Sequence, residues 1–333
     1  MKTKHIGITL GDPAGIGPEI VLKALLNHPE VYELCTPVVF GPLPVLKKYL
    51  TLFGMEASLI SINDFKKAPE KLFQNDILVF NTPLVEPIPE PGQISAAGGE
   101  NSFKAINAAI EQALEKNICA IATAPINKQS LKKTQIPFLD HTAIFTNLTD
   151  SHHTMTLFVT GNLRIFFYSR HIPFKEIVNA LDEERLLETI KVCNQYLKQM
   201  GFENPHLAVA ALNPHAGEDG LFGTEEIDII TPAIERARMA NIRVTGPIPA
   251  DSVFHLASRG RYEAVLSLYH DQGHIAAKTL DFFGTISLTL GLPFLRTSVD
   301  HGTAFEIAGK GIANETSMVE AIKAAARYAW END

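Results

Sequence analysis

Short apolar runs alternate with amphipathic stretches along nearly the whole chain. Strands are predicted at 5–10, 37–40, 76–80, 118–123, 207–212, 242–246, 264–269 and 284–290. The runs 155–159 and 163–168 form a predicted hairpin turning at Gly161-Asn162. Between them lie predicted helices. In 101–116, Phe103, Ile106, Ile110, Ala113 and Leu114 fall on one face. Pro18 and Glu19 suit the first turn of a helix running to Asn27. A short helix is predicted near 43–53, another opens at Asp140-His141, and Asp182 caps one that Gly201 ends. The pattern of 224–240 is helical with Pro232 interrupting it, and 316–331 closes the chain. Residues 81–99, rich in Pro, Gly, Ser and Ala, are predicted to form a long loop. Such alternation predicts an α/β sheet with parallel pairs. At 333 residues the chain exceeds one simple core and predicts two lobes.

Three predicted strands each deliver a histidine just beyond their ends. Leu163–Tyr168 leads to His171, Leu207–Leu212 to His215, and Ala264–Tyr269 to His270. In open α/β sheets, ligands bind beyond the carboxyl ends of strands. Neutral imidazole is a common ligand for borderline divalent metals, and three protein ligands with an open position make a catalytic metal site. The chain has 12 histidines, so ordinary packing or surface roles are the competing reading. No local metal motif joins these three. His141 is placed either to donate to an anion at a helix start or to sit at the surface as a cap neighbour. Asp251 precedes a helix and is a cap or a base. The glycines of Gly11-Asp-Pro-Ala-Gly-Ile-Gly17 match neither common phosphate-loop fingerprint.

The formal net charge of −8 argues against nucleic acid or an anionic membrane surface as partner. Cys35, Cys119 and Cys193 are odd in number and scattered, so no disulfide framework or Cys-based zinc site is indicated. Met1-Lys-Thr-Lys-His5 leads into a strand and does not read as a signal peptide. No apolar run approaches the roughly 18 residues of a membrane span. The cytoplasm is the expected location.

Several pieces in chain order resemble the 4-hydroxythreonine-4-phosphate dehydrogenase family. They are Gly11–Glu19, His141-Thr142, Leu212–Glu218, Gly223–Asp228, Tyr269–Gly273 and Gly291–Ala304. Asp300–Gly311 also looks like the adenine-side loop of isocitrate and isopropylmalate dehydrogenases. The resemblance implies a two-lobed α/β/α fold of the isocitrate/isopropylmalate dehydrogenase kind, with an active cleft between lobes. On this reading the first lobe comprises 1–138 and 280–333, and the second comprises 139–279.

It further implies a homodimer with a divalent metal on His171, His215 and His270, the last from the partner subunit. Zinc is the expected metal, with cobalt, nickel, manganese or magnesium as alternatives. Substrate contacts map onto His141, Thr142, Lys278, Ser287 and Arg296. The cofactor, NAD or NADP, maps onto Asp300, His301, Gly302 and Thr303. Two positions depart from the family pattern: Ala143 stands where Glu is usual, and Ser287 where Asn is usual.

The reaction implied is oxidation of 4-hydroxythreonine 4-phosphate to a β-keto acid, which decarboxylates. The metal acts as a Lewis acid, and Asp251, Lys278 or His141 moves the proton. Lys278 and Arg296 hold the anionic end, unless they are a surface lysine and a structural ion pair. Related members oxidise D-threonate or D-erythronate 4-phosphate, or a cyclic diol carboxylate from terephthalate breakdown. A metal-dependent hydrolase or aldolase would also use the histidines but leaves Asp300–Gly311 without a role. A two-lobed sugar-acid-binding protein is the non-catalytic alternative.

Overall fold

The computed structural model describes residues 4–69 and 71–330. The chain divides into two compact units, Met1–Thr154 with Ile286–Asp333, and Met155–Thr285. The expected boundaries differ at both crossings, for packing reasons. The helix after Asp140 belongs to the first unit, because Ile144 and Phe145 are buried there against Phe294 and Leu292. Residues 280–285 stay with the second unit, where the Thr285 hydroxyl donates to the carbonyls of Ala277 and Asp281.

In the first unit, strands β1 (His5–Thr9), β2 (Thr36–Gly41), β3 (Ser58–Ile62), β4 (Asp76–Asn81) and β5 (Ala120–Thr123) alternate with helices. These are α1 (Gly17–Asn27), α2 (Glu30–Leu34), α3 (Leu43–Phe53), α4 (Ala96–Leu114), α5 (Lys128–Lys132) and α6 (His141–Leu148). The second unit holds strands β6 (Met155–Thr160), β7 (Leu163–Phe167), β8 (Leu207–Ala210), β9 (Val244–Ile248) and β10 (Ala264–Ser267). Its helices are α7 (Glu183–Gln199), α8 (Thr231–Met239), α9 (Ala250–Ser258) and α10 (His270–Leu280). The chain then returns to the first unit as β11 (Ile286–Leu290), β12 (Leu295–Val299) and α11 (Thr316–Tyr328). Residue 331, the predicted end of the closing helix, lies outside the described residues, as do Met1–Thr3.

Strand order in the first unit is β3-β4-β2-β1-β5-β12-β11, parallel except for the antiparallel β11–β12 pair. In the second it is β6-β7-β10-β8-β9, parallel except for the β6–β7 hairpin. Strands buried on both faces explain the continuous apolar runs, such as Ala-Ile-Ala-Thr in β5. The first core gathers Val38, Phe40, Ile106, Ile110, Phe145 and Phe294. The second gathers Phe158, Ile165, Phe167, Val253 and Val265. Fully burying each such side chain contributes about 1.5–3 kcal/mol. Among the described residues no helix is long and apolar enough to cross a membrane.

Helix α4 corrects the expected 81–99 loop. It starts at Ala96, five residues earlier than the predicted 101, with the Ser95 hydroxyl accepting the Gly98 N–H at 3.0 Å. Gly98-Gly99 argues against helix by propensity. Tertiary packing overrides it: a Cβ on Gly99 would lie 2.6 Å from the Ser130 carbonyl oxygen of α5. The pair lets two helices touch through backbone. Inside a helix, Gly→Ala ordinarily gains stability. Here Gly99→Ala is expected to lose about 1–3 kcal/mol through overpacking, read as a lower melting temperature; a rise would contradict this packing.

Candidate functional site

Strand ends in the second unit bring the three histidines to one edge. β7, β10 and β8 are neighbours and mutually parallel, so the segments that follow them leave on the same side. The predicted strand 264–269 stops at Ser267, and His270 is the first residue of α10, with Tyr269 as its N-cap. Gly273 seats this helix on β7, since a Cβ there would lie 2.6 Å from the Phe167 ring. The buried Gln272 ties two strand ends together. Its Oε1 accepts the Leu268 N–H at 2.8 Å, and its Nε2 donates to the Ala211 carbonyl at 2.7 Å.

His171 and His270 line one recess of about 280 Å³, with ring centroids 5.8 Å apart. His215 lines a neighbouring cleft of about 570 Å³ with Asp251, Asn213 and Tyr269. Phe174, Ile177 and Tyr269 border both. Among the described residues of this chain, no three His, Cys, Asp or Glu side chains converge to hold a metal. Two of the three imidazoles nevertheless face carboxylates through Nδ1. His215 Nδ1 lies 3.1 Å from Glu218 Oε1, and His270 Nδ1 lies 2.6 Å from Asp271 Oδ1. A carboxylate at Nδ1 fixes the tautomer that leaves Nε2 as the lone-pair donor, the arrangement found behind metal-ligating histidines.

The His215 segment is backbone-strained. His215, Ala216, Glu218 and Asp219 have φ of 51, 57, 43 and 53°, with Gly217 and Gly220 also positive. Left-handed conformation costs roughly 1–2 kcal/mol per non-glycine residue. Such strain persists only where surroundings over-determine it, and it clusters at functional sites. Asp251 is exposed in the first turn of α9. Lys278 lies in the last turn of α10, its ammonium 5.1 Å from the Phe282 ring centroid.

The first unit carries a polar cluster built across its strands. Sheet register places Thr9, Thr123, Ser298 and Ser287 in one row over β1, β5, β12 and β11. Two residues back on β12, Arg296 lies opposite Thr289 and on the same face. The buried guanidinium donates from Nε and Nη2 to Thr123 Oγ1 at 3.2 and 2.9 Å, and from Nη1 to Thr289 Oγ1 at 3.0 Å. It stands 5.3 Å from the Phe145 ring centroid. Among the described residues no carboxylate is ion-paired with it, so the expected alternative of a structural ion pair does not hold. Burial pushes Arg296 down to about 10, with Asp140 opposing, so it stays charged at neutral pH.

His141 opens α6 behind the Asp140 cap, whose Oδ1 accepts the Ala143 N–H at 2.9 Å. Its Nε2 is buried with no hydrogen-bond partner among the described residues. Burial first, and the Arg296 charge second, hold its pKa well below the usual imidazole range. It is neutral at pH 7. Thr142 is exposed beside it and Ser287 is half-buried.

After β12, the Asp300–Thr303 stretch folds against the Gly11–Gly17 loop. The Thr303 carbonyl accepts the Ile16 N–H at 3.0 Å, and its hydroxyl accepts from Asn127 Nδ2 at 3.3 Å. His301 Nε2 is another buried nitrogen without a partner. Glu19, expected to serve the positive end of α1, is buried and accepts from Lys23 Nζ at 2.8 Å and from the Ala313 N–H at 2.7 Å. It pins the far end of the same loop.

Among the described residues, the first unit carries a buried guanidinium with no carboxylate paired to it, and the second carries imidazoles oriented by carboxylates; groups of these kinds suit an α/β enzyme working on a small anion. The chain matches the family described as Pyridoxal phosphate biosynthetic protein PdxA over residues 33–325, and it belongs to that family. A protein of Halalkalibacterium halodurans, provisionally named D-threonate 4-phosphate dehydrogenase, is 48% identical over 331 residues, covering 98% of each chain. A Clostridium botulinum protein with the same provisional name is 47% identical over 326 residues, 97% of this chain and 96% of that one. The crystal structure of 4-hydroxythreonine-4-phosphate dehydrogenase from Klebsiella pneumoniae superposes with a TM-score of 0.88 at 39% identity, covering 98% of this chain and 100% of that one. The protein is accordingly a dehydrogenase.

Sequence reading missed Thr123, Thr289, Gln272, Glu218, Asp271 and Glu226. A polar residue closing an apolar strand was the available signal for Thr123. Gln272 and Glu226 lie inside the resemblance segments Tyr269–Gly273 and Gly223–Asp228, but nothing local shows their roles, because their partners are set by the fold.

The lowered pKa of His141 has a defined sign. Between its folded value and the ordinary 6.5, the unfolded chain binds the proton and the folded one does not. Its contribution is fully present above 6.5 and declines as pH falls below that value. His141→Asn is therefore expected to lose less melting temperature than wild type between about pH 7.5 and 5.5. Equal losses in calorimetric scans would contradict the buried neutral imidazole.

Proposed function

We propose that the chain is a metal-assisted, NAD- or NADP-dependent dehydrogenase of D-threonate 4-phosphate. The supporting observation is the polar cluster around Arg296. It offers a guanidinium, a neutral imidazole and a row of hydroxyls, and Asp140, whose charge acts on Arg296, caps α6 through the Ala143 N–H. That chemistry suits an anionic polyhydroxy acid. Neither Ala143 nor Ser287 adds a carboxylate for an ammonium group. The two relatives at 48% and 47% identity carry the D-threonate name. 4-Hydroxythreonine 4-phosphate is the second reading, favoured by the name of the Klebsiella structure.

His171, His215 and the partner subunit's His270 would hold the ion. Imidazole-only ligation favours zinc, with cobalt, manganese or magnesium as alternatives. When bound, such an ion supplies Lewis acidity toward an alcohol oxygen. Asp300, His301, Gly302 and Thr303 would hold the dinucleotide, whose nicotinamide supplies the hydride acceptor. The working form would be a cytoplasmic homodimer.

The remaining roles belong to side chains. Arg296 and Lys278 grip the anionic end of the substrate, Arg296 being pre-aimed by Thr123 and Thr289. His141 Nε2, Thr142 and Ser287 orient the hydroxyls. Asp251 or Lys278 takes the hydroxyl proton. Loss of that proton and of a hydride from the carbon β to the carboxylate gives a β-keto acid. Carbon dioxide then leaves, the electron pair passes to the neighbouring carbon, and protonation there yields dihydroxyacetone phosphate.

Nicotinamide reduction with the 4-phosphates of D-threonate, D-erythronate and 4-hydroxythreonine, run side by side, tests the substrate. Expected is at least about 10-fold higher kcat/KM on D-threonate 4-phosphate; the reverse order would install the second reading. Chelation should cut the rate about 100-fold or more, with zinc or cobalt restoring it. Full activity after verified metal removal would end the metal assignment.

A further inference from the structure

Glu226 is buried at 3% exposure and has no part in the chemistry above. It begins a π-helical turn, Glu226–Ile230, directly before α8. Such turns concentrate at functional sites. Its Oε1 accepts the backbone N–H groups of Leu212 and Asn213 at 2.8 and 2.7 Å. Its Oε2 accepts from Asn213 Nδ2 at 2.8 Å. These are the residues leading into the left-handed run His215–Gly220. The carboxylate also sits inside the bend: a Cβ on Gly217 would lie 3.0 Å from Oε2. Glu225 touches the same segment less fully, through Asn213 Nδ2 alone at 2.6 Å. On the outer side, Glu218 Oε1 faces His215 Nδ1.

A run of left-handed residues is not self-sustaining. Without an anchor, the segment would relax toward ordinary backbone and carry the His215 ring with it. We propose that Glu226 is a positioning residue. Its buried carboxylate holds the left-handed turn that presents His215, and Glu218 sets the ring so that Nε2 is the donor atom. This rests on the reading of His215 as a metal ligand.

The test uses the purified full-length protein, stripped of metal and titrated with Co²⁺, read by calorimetry and by the visible absorption of the bound ion. Glu226→Gln keeps an oxygen for the two backbone N–H groups but sets an amide NH₂ against that of Asn213. The Kd for Co²⁺ is expected to rise about 10- to 100-fold, with a changed absorption band and an unchanged Kd for NADH. Asn213→Ser removes one of the three hydrogen bonds and should give a smaller rise in the same direction, which keeps the test open should Glu226→Gln fail to fold. Glu225→Gln should stay within about 3-fold of wild type. His215→Ala separates the two readings. If it binds Co²⁺ as wild type does, the metal assignment fails. If it loses the ion while Glu226→Gln or Asn213→Ser binds normally, the positioning role alone fails. Parallel loss of NADH and Co²⁺ affinity in both Glu226→Gln and Asn213→Ser would mark a general structural role and overturn the proposal.

Discussion

Parallel strand pairing is the constraint on which the functional reading depends. Adjacent parallel strands end on the same side, so whatever follows them is gathered at one edge without any local sequence motif. β7, β10 and β8 do this for the segments bearing His171, His270 and His215. β1, β5 and β12 do it for the hydroxyl row and the loop after Val299. The βαβ connections that make parallel pairing possible also place helix starts at those edges. His141 and His270 are each the first residue of a helix.

The polar groups at these edges are arranged against local economy. Among the described residues, a buried guanidinium without a carboxylate, two buried imidazole nitrogens without partners and a left-handed turn are each unfavourable alone. Neutral hydroxyls solve part of the problem around Arg296. Thr123 and Thr289 satisfy its donors without cancelling its charge, which leaves the cation available to an anion. A carboxylate in their place would have paired with the cation and cancelled its charge. Glu226 solves the comparable problem in the second unit, where it meets backbone donors that no regular element could satisfy.

Much of the secondary structure was legible because it rests on periodicity. The α4 face of Ile106, Ile110 and Ala113, the Gly161-Asn162 hairpin and the Asp182 cap all depend on neighbours within one or two turns. The errors fell where distant packing decided. Gly98-Gly99 reads as loop until α5 supplies a backbone to touch. Residues 139–154 read as the start of the second lobe until Phe145 finds Phe294. Candidate residues followed the same rule. His171, His215 and His270 stood out because each follows an apolar run. Gln272, Glu218 and Glu226 did not, since a glutamate before a helix or a glutamine after a strand is ordinary in any chain.

Alone, the order of residues determined that this would be an alternating α/β protein with histidines beyond strand ends, and the quoted segments carried the family resemblance. Both follow from short-range physics: side-chain periodicity, turn chemistry and residue type. Only the tertiary structure decided which strands stand side by side, and so which histidines share an edge. It alone showed that Arg296 meets hydroxyls and, among the described residues, no paired carboxylate, and that the turn at His215 is left-handed and anchored. Those features are set by contacts between residues more than 170 positions apart in the chain, and no local pattern records which distant group will arrive.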